Sequence, residues 1–459
     1  MTGDKTQQLA AWLAGTTAGD IPGQILRQTQ AVVTDGVGAL LAAANPDYST
    51  GQRIIRFVRD QGGTPEASVV GGGFKTSVVN AALANGTMGY ACDVEPHHPE
   101  AILHPIAIMV PTAMALAERT HASGADFLGA VALGCEVEYR VSMAIQPVEL
   151  YNLGFHPSAV AGCFGATACA AFLLKLGAEQ TVRAFGLAGC QASGMMAWES
   201  DPTENSRPFQ MGMAARNGVT AALLAQGEFG GPSGIFDHGH TVFKAFSRNP
   251  RPELLTKALG REWAGISELA IKPYSTVSFL HPALDALFEM LRETKLTAVD
   301  VRRVTLRFPR SGVHCVDGNP LKSHCAQYVL AVAIARGAID VSDLFIDRRE
   351  TDAAVAALAR QVDVIHDDEL DKLFPDFYAS ILEIQTVDGR TVAKRKDIAR
   401  GYPEAPMPQS ELDAKFEHLA GSVAAPARVR ALRETLAGLP AAPSITALSD
   451  LLRAPADAR

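Results

Sequence analysis

Residues 89–111 read GYACDVEPHHPEAILHPIAIMVP, and the rest of the chain is organised around this stretch. Asp93, Glu95, His97, His98, Glu100 and His104 crowd into it. Pro96 and Pro99 keep its first half from being helix, because each lacks an N–H and restricts the residue before it. Apolar, helix-forming sequence lies on both sides. The stretch therefore reads as a polar loop, rich in titratable groups, held between two buried helices. Loops on a rigid scaffold are where catalytic groups tend to sit.

Outward from that loop the chain is mostly helical. Two amphipathic helices fill residues 1–45 and another covers Gly51 to Asp60. Ala67 to Val70 is a short apolar stretch. Thr76 to about Asp93 is helical. After the loop come His104 to Glu118, Ala125 to Ala144, Ser158 to Leu174 and Gln210 to Gln226, with a polar linker from Glu199 to Arg207. Ala, Gly and Ser dominate these runs, and small side chains let helices approach closely, so a tightly packed bundle is expected. The pattern changes near Gly265. Val301 to Phe308, Tyr378 to Gln385 and Thr391 to Lys394 alternate, and Asp388-Gly389 between the last two is a hairpin signal. Helices at His281 to Glu293, Ala326 to Arg336 and Thr351 to Ala359 fall among them. The expected class is mainly α, with a smaller α+β domain over residues 266–402 and an all-helical domain over 1–265 and 403–459.

Composition narrows the function. The 459 residues are 47% hydrophobic with a net charge of −8, so a large core is available and disorder is disfavoured. No basic tract exists, which argues against nucleic acid. The N-terminus has no apolar signal-peptide core, and the run from Ser158 reads as a buried helix, not a membrane span. Seven scattered cysteines without a C-x-x-C pair fit a reducing cytoplasm. GGGFKTS at residues 71–77 imitates a phosphate loop, but Phe74 stands where a glycine must precede the lysine.

Three His-Pro pairs each open an apolar helix: His104-Pro105, His156-Pro157 and His281-Pro282. A histidine there faces the positive end of the helix dipole, which favours the neutral, base-competent imidazole. Free N–H groups at the same helix ends suit carboxylates. Lys272, pinned before Pro273 beside apolar residues, can serve as a proton acceptor. Arg207, before Pro208, can clamp a carboxylate through two N–H groups. A metal would draw on His97, His98, Glu100 and His104, or on His314-Cys315 with His324-Cys325. No H-E-x-x-H or C-x-x-C spacing is present, so no metal is expected. G-x-S-x-G and G-x-G-x-x-G are absent too.

Five segments taken together resemble the MmgE/PrpD family, whose members include 2-methylcitrate dehydratase, cis-aconitate decarboxylase and iminodisuccinate epimerase. They are residues 85–111, GFHPSAVAGCFGATACAA (154–171), GLAGCQASGMM (186–196), SRPFQMGMAARNGVTAALLA (206–225) and IKPYSTVSFLHPALDAL (271–287). The resemblance implies a large all-helical domain made from both termini plus an α+β lid domain, a homodimer, no cofactor, and a small di- or tricarboxylate substrate. It also implies that Asp93 and His104 match the family's loop aspartate and active-site histidine, and that His156 matches the histidine of its G-x-H-P motif. Lys272 matches a lysine placed near the substrate, and His281 a helix-start histidine beside it. The sequence departs from the family at Arg207, where lysine is usual, at Gln210, where histidine is frequent, and at Val277, which replaces a histidine of the decarboxylase branch. The lid tyrosine of the decarboxylases has no clear equivalent; Cys315 lies nearby. His104, His156 and Lys272 are thus the expected catalytic groups, and Asp93, Arg207, His281 and Cys315 the expected binding groups. Proton chemistry beside a carboxylate is the expected activity. A hydro-lyase like 2-methylcitrate dehydratase is the first expectation, a decarboxylase or epimerase the next. A non-catalytic carboxylate-binding protein is the expectation from another class.

Overall fold

The computed structural model describes residues 4–345, 352–374 and 377–457. The chain divides into two compact units: Met1–Ala91, Glu95–Leu269 and Ser410–Arg459 form one, and Cys92–Val94 with Ala270–Gln409 the other. The structure is mainly helical, with small sheets.

The first unit begins with α1 (Lys5–Gly15), α2 (Gly23–Ala43), α3 (Ser49–Gln61), α4 (Val78–Ala91), α5 (Ile106–Thr120) and α6 (Gly124–Ile145). It continues with α7 (Pro147–Asn152), α8 (Pro157–Leu173), α9 (Ala178–Gly189), α10 (Ser206–Gln226), α11 (Val242–Phe246) and α12 (Ala264–Ser267). Helix α8 is buried almost along its whole length, with α5, α6 and α10 packed against it, and α4 packs against α5 and α10. Missing side chains make that packing possible. A Cβ on Gly86 of α4 would lie 2.9 Å from the Gly212 Cα of α10, and one on Gly89 would lie 2.9 Å from the Ala107 carbonyl of α5. Such approaches are closer than real Cβ contacts allow, so α4 meets both neighbours backbone to backbone. No helix of the described residues is long and apolar enough to cross a membrane.

Between α3 and α4 the apolar stretch forms a two-stranded hairpin, β1 (Ala67–Ser68) with β2 (Lys75–Thr76). The triple glycine is its turn, with positive φ at Gly71 and Gly73. Their amides donate to the Leu452 and Arg453 carbonyls near the chain's end, both at 2.9 Å. These N–H groups satisfy helix-end carbonyls; they do not form a phosphate cradle.

The second unit carries one four-stranded sheet in the order β4-β3-β5-β6. Strand β5 (Ser380–Thr386) pairs antiparallel with both β3 (Val301–Pro309) and β6 (Thr391–Lys396), and the turn at Asp388-Gly389 joins β5 to β6. The fourth strand, β4 (Val362–Asp367), is a parallel edge beside β3 and is absent from the sequence reading. Its alternation is half polar and it runs into acidic residues, which leaves little strand signal in the sequence. Helices α13 (His281–Thr294), α14 (Val313–Val316), α15 (Ala326–Arg336), α16 (Val341–Leu344), α17 (Ala353–Ala359) and α18 (Asp368–Asp371) complete this unit. Thr351, the first residue of the expected helix there, lies outside the described residues.

The last helices, α19 (Gln409–Gly421), α20 (Pro426–Ala437) and α21 (Thr446–Arg453), belong from Ser410 onward to the first unit. Lys415 of α19 reaches both oxygens of Asp35 on α2, at 2.7 and 2.8 Å. Burial pushes the Asp35 carboxyl up, and Lys415 opposes that shift.

Glu138 on α6 is fully buried, and neither carboxyl oxygen has a hydrogen-bond partner among the described residues. Burial pushes its carboxyl well above the ordinary range, so the neutral acid is the folded form. A folded-state value above the unfolded one stabilises at low pH and is lost as pH rises. Unfolding free energy should therefore fall by up to about 1.4 kcal/mol per pH unit as pH rises from the ordinary carboxyl range toward the raised folded-state value. Glu138→Gln should flatten that slope relative to the parent chain. Denaturant titrations of both proteins from mildly acidic to alkaline pH measure the difference.

Candidate active site

In the first unit, two of the three His-Pro pairs come together. The backbone N–H of His104 donates to Ser158 Oγ at 3.0 Å, tying the start of α5 to the first turn of α8. His156 is the N-cap residue of α8, with Pro157 as the first helical position. Tyr90, near the end of α4, lies between them, its ring centroid 4.4 Å from His104 and 6.0 Å from His156.

Each histidine is held through Nδ1. His104 Nδ1 meets Glu95 Oε1 at 2.7 Å, and the Glu95 side chain is fully buried while His104 keeps 15% exposure. The loop makes this pair by folding back on itself. His98 N–H donates to the Leu103 carbonyl at 2.8 Å and Leu103 N–H returns the bond at 3.2 Å. His156 Nδ1 faces Gln210 Oε1 at 3.2 Å, and Gln210 Nε2 donates to the Met195 carbonyl at 2.8 Å.

Arg207, the second residue of α10, is buried rather than part of a surface linker. Its guanidinium carbon lies 4.6 Å from the Tyr90 ring centroid and 5.6 Å from that of Trp198, within cation–π range. Glu204 stands 3.7 Å from it. His97 is buried with its ring stacked 6.0 Å from that of His104. The group so formed is a histidine with a carboxylate partner, a histidine with an amide partner, and a desolvated guanidinium on an aromatic floor. It can exchange protons and bind an anion.

The loop's other histidine has a structural role. His98 Nδ1 accepts from Ala101 N–H and its Nε2 contacts the Ala264 carbonyl at 3.2 Å. Its ring stacks on Tyr139 at 4.8 Å. Burial pulls its pKa down to about 4, so it stays neutral.

The remaining expected residues lie in the second unit. Lys272 is fully buried and forms an ion pair with the Asp93 carboxylate, and its ammonium also donates to the Asp93 carbonyl at 3.2 Å. Asp93 has φ 48, a left-handed conformation that aspartate tolerates better than most residues. Ser275 Oγ donates to the neighbouring Cys92 carbonyl at 2.5 Å, so residues 92–93 are gripped twice by the segment after Lys272. His281, first residue of α13, is fully buried with Nε2 on the Thr276 carbonyl at 3.2 Å, which braces the same segment. Cys315 is half-buried on α14, its Sγ 3.3 Å from His314 Nε2. Tyr378 is buried, and Cys315 adds to the upward push that burial gives its phenol.

Glu95, Tyr90, Trp198 and Gln210 are site residues that the sequence reading did not select. Glu95 carries a signal, being an acidic residue in the decisive stretch. Tyr90 and Trp198 carry none, since each is an ordinary aromatic in an apolar run.

Comparison with known proteins follows the same lines. The family model described as MmgE/PrpD N-terminal domain matches residues 7–255, and that of the MmgE/PrpD C-terminal domain matches residues 274–439. The chain is 27% identical to the cis-aconitate decarboxylase-like protein oryM of Aspergillus oryzae, over 98% of this chain and 97% of that protein. It is 27% identical to the cis-aconitate decarboxylase of Aspergillus terreus, over 98% and 96%. It is 26% identical to the 2-methylcitrate dehydratase of Escherichia coli, over 44% and 43%.

Lys272→Met takes the ammonium from beside a buried carboxylate, and breaking such a pair from one side costs about 3–5 kcal/mol. The Asp93→Asn/Lys272→Met double variant should recover part of that loss. Hydrogen exchange of amides in residues 270–287 should show faster opening in the single variant than in the double.

Proposed function

Because this chain belongs to the MmgE/PrpD family, we propose that it is an enzyme that moves a proton at the carbon next to a carboxylate of a small di- or tricarboxylate. The observation that carries this reading is the 2.7 Å contact between His104 Nδ1 and the fully buried Glu95. A carboxylate on Nδ1 fixes the ring's orientation and tautomer, leaving Nε2 as the atom that exchanges a proton with substrate. Arg207 holds a substrate carboxylate, since a desolvated guanidinium offers paired N–H donors to it. His156 is the second proton carrier. On the resemblance, Lys272 is a further catalytic group and Asp93, His281 and Cys315 are binding groups; Lys272 is paired with Asp93, and His281 braces the segment after Lys272.

The first reaction proposed is elimination of water, as in 2-methylcitrate dehydratase. One group takes the proton from carbon, the electron pair forms the double bond, and a second group protonates the departing hydroxyl. Val277 favours this over decarboxylation, because the decarboxylase branch carries a histidine there. Decarboxylation is the second reading, favoured by relatives that match nearly end to end and carry that activity in their names. Epimerisation of an amino-dicarboxylate would use the same proton transfer without elimination. A cofactor-free homodimer belongs to the same proposal on the resemblance, and a cytoplasmic location on the scattered cysteines without a C-x-x-C pair.

Incubation in D₂O with citrate, methylcitrate, aconitate, itaconate and iminodisuccinate, followed by NMR, tests the reading. Deuterium should enter one compound, with loss of a hydroxyl for dehydration or release of CO₂ for decarboxylation. His104→Ala and Glu95→Gln should slow that exchange by about 100- to 10,000-fold, the usual contribution of a positioned acid or base. Undiminished exchange in both variants would remove the assignment, and silence across the panel would favour a binding protein.

A further inference from the structure

We propose that Gln210 is a positioning residue that holds His156 as its Nδ1–H tautomer, so that His156 accepts the substrate proton while the His104–Glu95 pair donates one. The first half stands on geometry; the second rests on the proton-transfer reading above.

A primary amide has one donor end and one acceptor end. Gln210 commits its donor end to the Met195 carbonyl at 2.8 Å. Its carbonyl oxygen is therefore the atom facing His156 Nδ1 at 3.2 Å. An oxygen acceptor in that place requires a proton on the ring nitrogen, and the neutral ring then carries its basic lone pair on Nε2. The Met195 carbonyl is itself fixed. His156 N–H donates to the Gly194 carbonyl at 2.9 Å, and Met196 N–H donates to the Gly154 carbonyl at 2.8 Å. Phe155 and Met195 thereby form an isolated antiparallel bridge. Gly194 has φ +144, and a Cβ there would lie 2.3 Å from Ala159 Cβ, so the turn is built for glycine.

The two histidines thus differ in what faces Nδ1. An anionic carboxylate favours the doubly protonated ring of His104, whereas a neutral amide favours the singly protonated ring of His156. Unequal environments for like groups are how one site separates acid from base. Among the described contacts, the Tyr90 ring of α4 lies 6.0 Å from that of His156, and Arg207 of α10 lies over the Tyr90 and Trp198 rings. Arg207 has Glu204 at 3.7 Å, and Trp198 contributes an uncharged ring 5.9 Å from His156.

Two measurements test this. In the intact protein labelled with ¹⁵N-histidine, without substrate and with His156→Ala for assignment, neutral His156 should show its proton on Nδ1. Gln210→Leu should shift it toward Nε2–H. An Nε2–H ring in the parent protein, or no change in the variant, overturns the proposal. The pH profile of kcat/KM on the compound found by the exchange screen is the second. Gln210→Glu places a carboxylate on Nδ1 and should raise the acid limb by about 1 unit, with the alkaline limb unmoved. Gln210→Leu should lower kcat about 10- to 100-fold, as loss of an orienting partner does elsewhere, with KM little changed. Movement of the alkaline limb instead would overturn the division of roles. If the tautomer is as proposed and no compound exchanges, the proton-transfer reading fails and the division of roles falls with it, while the assignment of Gln210 stands.

Discussion

The hydrogen bond from His104 N–H to Ser158 Oγ is the joint on which the candidate site depends. It locks the starts of α5 and α8 together, and each start carries one of the histidines. Those starts can meet because the two helices and their neighbours present Gly, Ala and Ser to one another. Gly89 lets α4 touch α5 along the backbone, and that contact lies next to Tyr90, on which both histidine rings and the Arg207 guanidinium converge. The composition of the bundle and the geometry of the site are thus one fact: larger side chains would separate the helices and with them the proton-carrying groups.

Burial then decides what each polar group can be. Glu95 has no access to solvent and stands against His104; Glu138, equally buried, has no such partner and is held as the neutral acid. His98 illustrates the opposite use of the same residue type. It adjoins His97 in sequence, yet it is spent on two backbone groups and a ring stack, and it stays neutral. Adjacent histidines in a loop are therefore not interchangeable evidence for chemistry.

The helical class is legible in the runs of small apolar residues, and β3, β5, β6 and their turn are legible in alternation and Asp388-Gly389. Strand β4 is not, because an edge strand beside a parallel neighbour needs little apolar alternation. Among site residues, the His-Pro pairs stand out because proline marks the first turn of a helix and so places the histidine at its end. The Glu95–His104 pair is hidden, since a separation of nine positions becomes a contact through the His98–Leu103 bridge. Arg207 reads as part of a linker; its burial depends on Tyr90 and Trp198, which are far away in sequence. Gln210 reads as a departure from a family pattern, and its role emerges when both ends of its amide have partners.

Lys415 and Asp35 are 380 residues apart in the chain. A ribosome releases α2 long before it has made α19, so the nascent first unit carries a carboxylate destined for the interior with its cation not yet synthesised. Asp35 gains this partner only after the whole of the second unit has been translated. The first unit is completed late in translation, and a chain ending before α19 would leave its helical core without that pair.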